Sequence, residues 1–198
     1  MTRTLVVGDV HGCSAELDAL VEKAAPDHIV LVGDLFTKGP DPRGVWERIE
    51  AWQARAVLGN HDARVLQRWD RWGERLPEAC RRWLEGLPLF LEVAGVLVVH
   101  AGVHPLEGPE GTTRDMALTM RRFPEPDGPF WYDAGWAGPT CVVFGHDAIR
   151  GRIRREVDGR PVAIGLDSGC VYGGELSGWV PETDELFVVR AAKPYKPV

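Results

Sequence analysis

The chain has 198 residues, of which 44% are hydrophobic, and its 23 basic and 29 acidic side chains give a net charge of −6. A chain of this length and apolar content can bury one good core, so we expect one domain over residues 1–198. The acidic balance argues against bulk nucleic-acid binding and against a membrane-surface protein, because such proteins are usually basic.

The first half of the chain alternates predicted strands and helices. Strands are expected at residues 4–7, 28–32 and 55–58, and helices between Ser14 and Pro26, from 42 onward, through 63–72 and at 77–87. Ser14 can cap the first helix, and Pro42 suits the first turn of the second. This order predicts a parallel sheet with right-handed crossovers. Proteins with such sheets bind their ligands at the carboxyl ends of the strands.

The second half of the chain is typical of antiparallel hairpins. Strand pairs are expected at residues 89–93 with 96–100, on both sides of Asp158-Gly159, and at 178–180 with 186–190. Antiparallel pairs after parallel units suggest a second sheet packed on the first. The predicted fold class is therefore α/β: a two-sheet β-sandwich flanked by helices, in α-β-β-α layers.

The four cysteines are widely spaced and include no Cys-x-x-Cys pair. The chain shows no signal-peptide pattern at its start, and no apolar stretch approaches membrane-spanning length. We expect a cytoplasmic protein with reduced thiols and no membrane partner.

Five short segments place oxygen or imidazole groups directly after apolar runs. They are GDVHG (8–12), GD (33–34), GNHD (59–62), VHAG (99–102) and FGH (144–146). Strands that end in Gly and then present Asp, Asn or His bring metal ligands to one rim of a sheet. Carboxylate, carboxamide and imidazole groups together suit manganese, iron, zinc or magnesium, whereas a set of thiolates would indicate structural zinc. The pattern predicts a two-metal hydrolase.

These segments, in this order, resemble the calcineurin-like metallophosphoesterases. The similarity runs from about Thr4 to Leu186 and is greatest to the branch that holds the phosphoprotein phosphatases and the bacterial symmetrical dinucleoside tetraphosphatases. The late run LDSGCVYGGEL (166–176) also resembles the tail of that branch. The resemblance implies the metallophosphoesterase fold, which agrees with the predicted sandwich.

The resemblance also implies a set of metal ligands. It assigns one ion to Asp9, His11 and Asp34, and a second ion to Asp34, Asn60, His100 and His146. Two divalent cations so placed suit in-line displacement by water at phosphorus, without a covalent enzyme intermediate. Manganese is the first expectation, with iron, zinc, magnesium, cobalt or nickel as alternatives.

Other catalytic and binding residues are implied by the same resemblance. His61 corresponds to the residue that protonates the leaving group, a task that suits imidazole. In phosphoprotein phosphatases the second motif is GDxxDRG, but here Thr37 replaces the acid that would orient His61, and Lys38 replaces a phosphate-clamping Arg. Bacterial tetraphosphatases also tend to lack that acid.

A second phosphate-binding Arg is expected on a short helical stretch after Thr112. Arg121 and Arg122 both fit. His104 is a further candidate for the mouth of the substrate site, and Asn60 is expected to contact substrate as well as metal.

The substrate remains open among a phosphorylated small molecule, a phosphoprotein and a dinucleoside polyphosphate. The interval between the HAG and GH motifs is short for a tetraphosphatase. The aromatic run at residues 130–138 resembles polynucleotide-end phosphatases of the same branch, and Trp131, Tyr132 and Trp136 could either stack on a base or pack against the sheet. A non-catalytic regulatory scaffold is the remaining alternative, and the complete ligand set argues against it.

Overall fold

The computed structural model describes residues 2–197, which form two five-stranded sheets and the helices that flank them. The strands are β1 (Thr4–Val7), β2 (His28–Leu31), β3 (Arg55–Ala56), β4 (Phe90–Val93), β5 (Val96–Val99), β6 (Cys141–Phe144), β7 (Ile153–Val157), β8 (Arg160–Gly165), β9 (Glu175–Val180) and β10 (Glu185–Arg190). The helices are α1 (Ser14–Ala24), α2 (Pro42–Trp52), α3 (Asn60–Gln67), α4 (Glu78–Glu85), α5 (Gly108–Gly111) and α6 (Arg114–Thr119). Within residues 2–197, no helix is both long enough and apolar enough to cross a membrane.

The first sheet has the strand order β10-β9-β1-β2-β3, and β1, β2 and β3 are parallel, as predicted. Strand β3 has two residues, although four were expected at 55–58. The Leu58 N–H leaves the ladder with β2 and donates instead to the Pro88 carbonyl at 2.9 Å. The chain therefore turns out of the sheet just before the GNHD segment.

The second sheet has the strand order β4-β5-β6-β8-β7, in which β5, β6 and β8 are parallel. The hairpins β4–β5 and β7–β8 form as predicted. The hairpin β9–β10 also forms, but it extends the first sheet, where β9 runs antiparallel to β1 with Val6 opposite Trp179. The sequence pattern of a hairpin does not specify which sheet edge it joins.

The two sheets pack face to face through a buried cluster of apolar side chains, many of them valines. Val6 and Val30 of the first sheet belong to the same buried cluster as Val98 and Val143 of the second. Helices α1 and α2 cover the outer face of the first sheet. This arrangement confirms the predicted sandwich flanked by helices.

The aromatic run at residues 130–138 packs on the outer face of the second sheet. Trp131, Tyr132 and Trp136 are all buried there. The Trp131 indole N–H donates to the Ala101 carbonyl at 3.0 Å, and that of Trp136 donates to the Val162 carbonyl at 3.0 Å. Of the two roles considered for these aromatic residues, the structure favours packing over base stacking.

Two helix starts differ from the predictions. Helix α1 begins at Ser14 with Cys13 as its N-cap, and the Ser14 hydroxyl donates to the Asp41 carboxylate at 2.6 Å rather than capping α1. Asp41 in turn caps α2 by accepting from the Gly44 N–H. Helix α3 begins at Asn60, three residues before the expected start, so the GNHD segment forms its first turn.

Candidate metal centre

The predicted metal ligands meet where strands of the two sheets end side by side. Strands β1 and β2 lead to Asp9, His11 and Asp34, while β5 and β6 of the second sheet lead to His100 and His146. A cavity of about 470 Å³ opens at this rim. Its lining includes the predicted residues Asp9, His11, Asp34, Lys38, Asn60, His61, Arg121 and His146.

Three of the predicted metal ligands have left-handed backbone conformations. The φ angles are +46° at His11, +56° at Asp34 and +71° at His146. Non-glycine residues adopt this region at a cost of roughly 1–3 kcal/mol each, and they cluster where function requires a particular side-chain direction. At His11 the turn breaks the alternation of the strand, so Asp9 and His11 can face the same space.

Asp34 lies at the centre of the group, with its two carboxylate oxygens facing opposite sides. Asp34 Oδ2 is 3.5 Å from His11 Nε2, and Asp34 Oδ1 is 3.5 Å from His100 Nε2. Asp9 Oδ2 lies 3.9 Å from His11 Nε2. One ligand atom each from Asp9, His11 and Asp34 lies within 4.8 Å of the other two, close enough for all three to hold one ion.

On the other side of Asp34, two buried atoms have no hydrogen-bond partner within residues 2–197. They are His100 Nε2 and Asn60 Oδ1. His100 Nδ1 lies 2.9 Å from the Val32 carbonyl, so Nδ1 carries the proton and Nε2 keeps its lone pair. His146 Nε2 similarly donates to the Thr119 carbonyl at 3.1 Å, which leaves Nδ1 as the acceptor. Unpartnered buried acceptors beside a carboxylate fit a cation.

The electrostatics of the site also fit bound cations. Burial lowers the pKa of His146 to about 2 and also lowers the pKa values of His11 and His100. These imidazoles are therefore neutral, which is the form that binds metals. Burial also raises the pKa of Asp34 to about 7, and burial with the charges of Asp167 and Asp34 raises the pKa of Asp9. Divalent cations would favour the ionised form of these carboxylates.

Asp62 holds the turn that carries Asp34. Its buried carboxylate accepts from the backbone N–H groups of Asp34 at 2.7 Å, Leu35 at 2.9 Å and Gly59 at 3.2 Å. A Cβ at Gly59 would lie 2.2 Å from the Asp34 nitrogen, so only glycine fits there. Asp62 thus caps α3 and fixes the Asp34 turn.

His61 lies at the cavity, but its imidazole ring pairs with no carboxylate in the described part of the chain. Its backbone N–H donates to Asp34 Oδ1 at 2.8 Å, and its ring stands edge-on to His11 with the ring centroids 5.2 Å apart. Burial, followed by the charges of Lys38 and Arg64, lowers the pKa of His61 to about 3. The Thr37 hydroxyl contacts His11 Nδ1 at 3.1 Å, so it orients a predicted metal ligand.

Two cationic side chains line the cavity. Lys38 has a left-handed backbone, and its Nζ lies 3.0 Å from His11 Nε2 and 5.3 Å from the centre of the Tyr172 ring. Arg121 reaches the cavity edge, where Nη2 donates to the His146 carbonyl at 3.3 Å and Nε lies 3.6 Å from Asp147.

Arg122 and His104 do not line this cavity. Arg122 donates to the Gly128 carbonyl at 2.7 Å and stacks over Phe130. Both arginines come after α6 and do not lie on a helical stretch. His104 was predicted to line the substrate mouth, but in the structure its Nδ1 accepts the Glu107 N–H at 3.1 Å and its ring packs against Phe123.

Asp167 was not among the predicted site residues, yet it lines the cavity from the end of β8. It is buried, accepts the Gly169 N–H at 3.0 Å, and has its pKa raised to about 6, chiefly by burial. The sequence could have identified Asp167 as a site residue, because it directly follows an apolar run and lies inside the segment 166–176 that resembles the family tail.

Comparison with known proteins agrees with this geometry. The sequence model of the calcineurin-like phosphoesterase family matches residues 2–172. The chain belongs to that family.

Among its relatives, the symmetrical bis(5'-nucleosyl)-tetraphosphatase of Ralstonia nicotianae is 30% identical over 86% of each chain. The protein of the same name from a Janthinobacterium species is 29% identical over 98% of each chain. A crystal structure of a candidate diadenosine tetraphosphatase superposes with a TM-score of 0.86 at 36% identity, covering 96% of this chain and 94% of that one. The chain is accordingly a metal-dependent phosphoesterase, as the order of its motifs predicted.

Proposed function

We propose that this phosphoesterase uses a binuclear centre to hydrolyse a phosphoanhydride bond of a dinucleoside polyphosphate. The observation that carries the proposal is the position of Asp34, whose two oxygens face His11 on one side and the unpartnered His100 Nε2 on the other. The substrate class rests on the relatives that are bis(5'-nucleosyl)-tetraphosphatases.

The first ion would be held by Asp9, His11 and Asp34, and the second by Asp34, Asn60, His100 and His146. This set combines oxygen and imidazole donors and contains no thiolate, for which reason we place manganese first, with iron, zinc, magnesium, cobalt or nickel as alternatives. When bound, two such ions supply an activated water and neutralise charge on the phosphoryl oxygens.

Lys38 and Arg121 would bind the substrate phosphates. Lys38 Nζ contacts His11 Nε2, and this lone pair cannot serve an ammonium group and a metal ion at once. With an ion on His11 Nε2, Lys38 would be free to turn toward a phosphate oxygen. Arg121 approaches from the His146 side of the same cavity, where its guanidinium can offer a two-pronged contact.

The surroundings of His61 favour an anhydride over a serine ester. Within residues 2–197 no carboxylate pairs with its ring, while Lys38 and Arg64 both disfavour its cationic form. A serine alkoxide is a basic leaving group that needs protonation, whereas a phosphate leaving group needs little. A phosphoprotein substrate is therefore the weaker candidate.

The test is a comparison of kcat/KM for diadenosine tetraphosphate, p-nitrophenyl phosphate, a phosphoserine peptide and 3'- or 5'-phosphorylated oligonucleotides, using manganese-reconstituted protein. We expect the tetraphosphate to rank above the peptide and the oligonucleotides, with two molecules of ADP as products. The Asp34→Asn variant, purified in parallel, controls for contaminating phosphatases. A phosphoserine peptide preferred over every anhydride would overturn the substrate assignment.

We also infer that the two sheets act as one domain. The buried cluster that contains Val6 and Val143 lies between them, and the proposed metal ligands come from both. Neither sheet alone could hold the second ion.

A further inference from the structure

A second cluster of metal-ligating side chains lies outside the cavity, where the start of α1 meets the turn after β8. Cys13, Glu16 and Cys170 each place one ligand atom within 4.8 Å of the other two. Their exposed fractions are 0%, 4% and 1%. Along the chain, Cys13 comes two residues after His11, and Cys170 comes three residues after Asp167.

The carboxylate of Glu16 is only half satisfied. Its Oε1 accepts from the Tyr195 hydroxyl at 2.7 Å and from the Ala192 N–H at 3.1 Å. Its Oε2 is buried without a hydrogen-bond partner within residues 2–197. An unpaired carboxylate oxygen in an apolar core is costly unless a cation or a donor meets it.

The groups around this oxygen are suited to a cation. Cys13 and Cys170 belong to the apolar core that also contains Leu17 and Val171. The Cys13 thiol makes a long contact of 3.9 Å to the His11 carbonyl, and the Cys13 and Cys170 sulfur atoms lie within 4.8 Å of each other. Two thiolates and a carboxylate are ligands that zinc accepts, and three protein ligands leave one position for water. Binding would therefore release the two thiol protons to solvent.

We propose that Cys13, Glu16 and Cys170 bind one zinc ion, at a site separate from the binuclear centre. The ion would join α1 to the turn after β8. It would thereby brace the segments that carry His11 and Asp167 from behind the cavity. Tyr195, which holds Glu16 Oε1 and donates its N–H to Val171, places the C-terminal segment over the site.

Sulfur distinguishes this site from the catalytic one, whose proposed ligands are nitrogen and oxygen only. X-ray absorption at the zinc edge should show a zinc–sulfur shell at about 2.3 Å in reduced, zinc-reconstituted protein. Cys170→Ser should lose that shell and about one zinc equivalent per chain. Glu16→Gln, which keeps both thiols and nearly the same volume, should also lower the zinc content. Cys141→Ser is the control and should retain the shell.

Zinc-reconstituted wild-type protein with no sulfur neighbours would overturn the site, whatever the phosphatase activity. A sulfur shell that persists in Cys170→Ser but disappears in Cys141→Ser would also overturn it. If Cys170→Ser does not fold, the zinc–sulfur shell of the wild type and the zinc content of Glu16→Gln still test whether the site exists. A Cys13–Cys170 disulfide, with no zinc bound after its reduction, would indicate a redox pair in place of a metal site.

Discussion

Arg121 and Arg122 are adjacent and chemically identical, but the structure directs them to different surroundings. Arg121 lines the cavity beside His146, whereas Arg122 lies over Phe130 and contacts Gly128. If Arg121 binds phosphate, Arg121→Ala should lower kcat/KM roughly 10–100-fold, which corresponds to the loss of about 1.5–3 kcal/mol from one charge-assisted hydrogen bond. Steady-state kinetics on diadenosine tetraphosphate would measure this loss.

Arg122→Ala is the matched control for that measurement, because it removes the same charge one residue away. We expect its kcat/KM to stay close to the wild-type value. Equal losses in the two variants would indicate a general effect of positive charge near the cavity, and a loss confined to Arg122→Ala would contradict the assignment.

His61 provides a test of leaving-group chemistry. If it protonates the leaving group, His61→Ala should lower turnover of an alkyl phosphate by roughly 10²–10⁴. Turnover of p-nitrophenyl phosphate and of the tetraphosphate should fall less, because their leaving groups are weakly basic. Metal content, measured by elemental analysis, should be unchanged. Equal losses on all substrates, or loss of metal, would show that His61 has another role.

The sequence predicted which residues meet at the site where their positions follow from the ends of strands. It did not predict contacts that depend on how irregular segments fold against each other. The six proposed ligands come together because each lies within a few residues of the end of an apolar run. Which of Arg121 and Arg122 faces the cavity depends on the backbone conformation of an irregular segment. Such a segment has no helical or strand periodicity from which the direction of a side chain could be predicted. The Thr37 hydroxyl contacts His11 and not His61, a pairing set by how the turn after β2 folds back on the first motif.

At the scale of elements, Asp62 connects α3 to the turn that carries Asp34. Asp62→Asn replaces one of two accepting oxygens by a donor, so at least one buried N–H among Asp34, Leu35 and Gly59 loses its partner. We expect the free energy of unfolding to fall by about 1–3 kcal/mol and metal affinity to weaken as the turn loosens. Denaturant titration and metal titration would measure both.

Asp70 lies in the exposed 3-10 turn that comes after α3, and Asp70→Asn makes the same chemical change there. It should leave both quantities near the wild-type values. Unchanged metal affinity in Asp62→Asn would contradict the positioning role assigned to that carboxylate.

Helices and hairpins were predictable because their signals are local. The apolar spacing in α1 and α2 and the Gly-containing turns of the hairpins β4–β5 and β7–β8 do not depend on distant residues. The length of β3 and the placement of β9–β10 depend on which backbone groups compete for pairing. The Leu58 N–H donates to the Pro88 carbonyl and so does not extend β3. Gly178 allows β9 to lie close to Leu5, because a Cβ at position 178 would be 2.8 Å from the Leu5 side chain.

At the scale of the whole molecule, the proposed ions link the two sheets, since Asp34 lies beyond β2 while His100 and His146 lie beyond β5 and β6. Removing metal with a chelator should therefore destabilise the protein. An ion present at 100 times its Kd contributes about 2.7 kcal/mol, which corresponds to a fall in Tm of roughly 5–10 °C for a chain of this length. Calorimetry with and without chelator would measure the shift.

The Asp34→Asn variant removes the residue shared by both proposed ions, so its Tm should respond much less to chelator. A chelator response equal to that of the wild type would place the stabilising metal elsewhere.

The family and the fold could be predicted from the order of the five motifs. The substrate was not, because the rim of the cavity is assembled from separate segments, including Ile149 and Tyr172, that no motif brings together.

The most direct test of the binuclear centre is a crystal structure of manganese-saturated protein with anomalous data collected at the manganese edge. We predict two adjacent anomalous peaks on either side of Asp34. One should contact Asp9 and His11, and the other should contact Asn60, His100 and His146. Peaks located away from Asp34, or any of these six side chains turned away from both ions, would contradict the binuclear assignment.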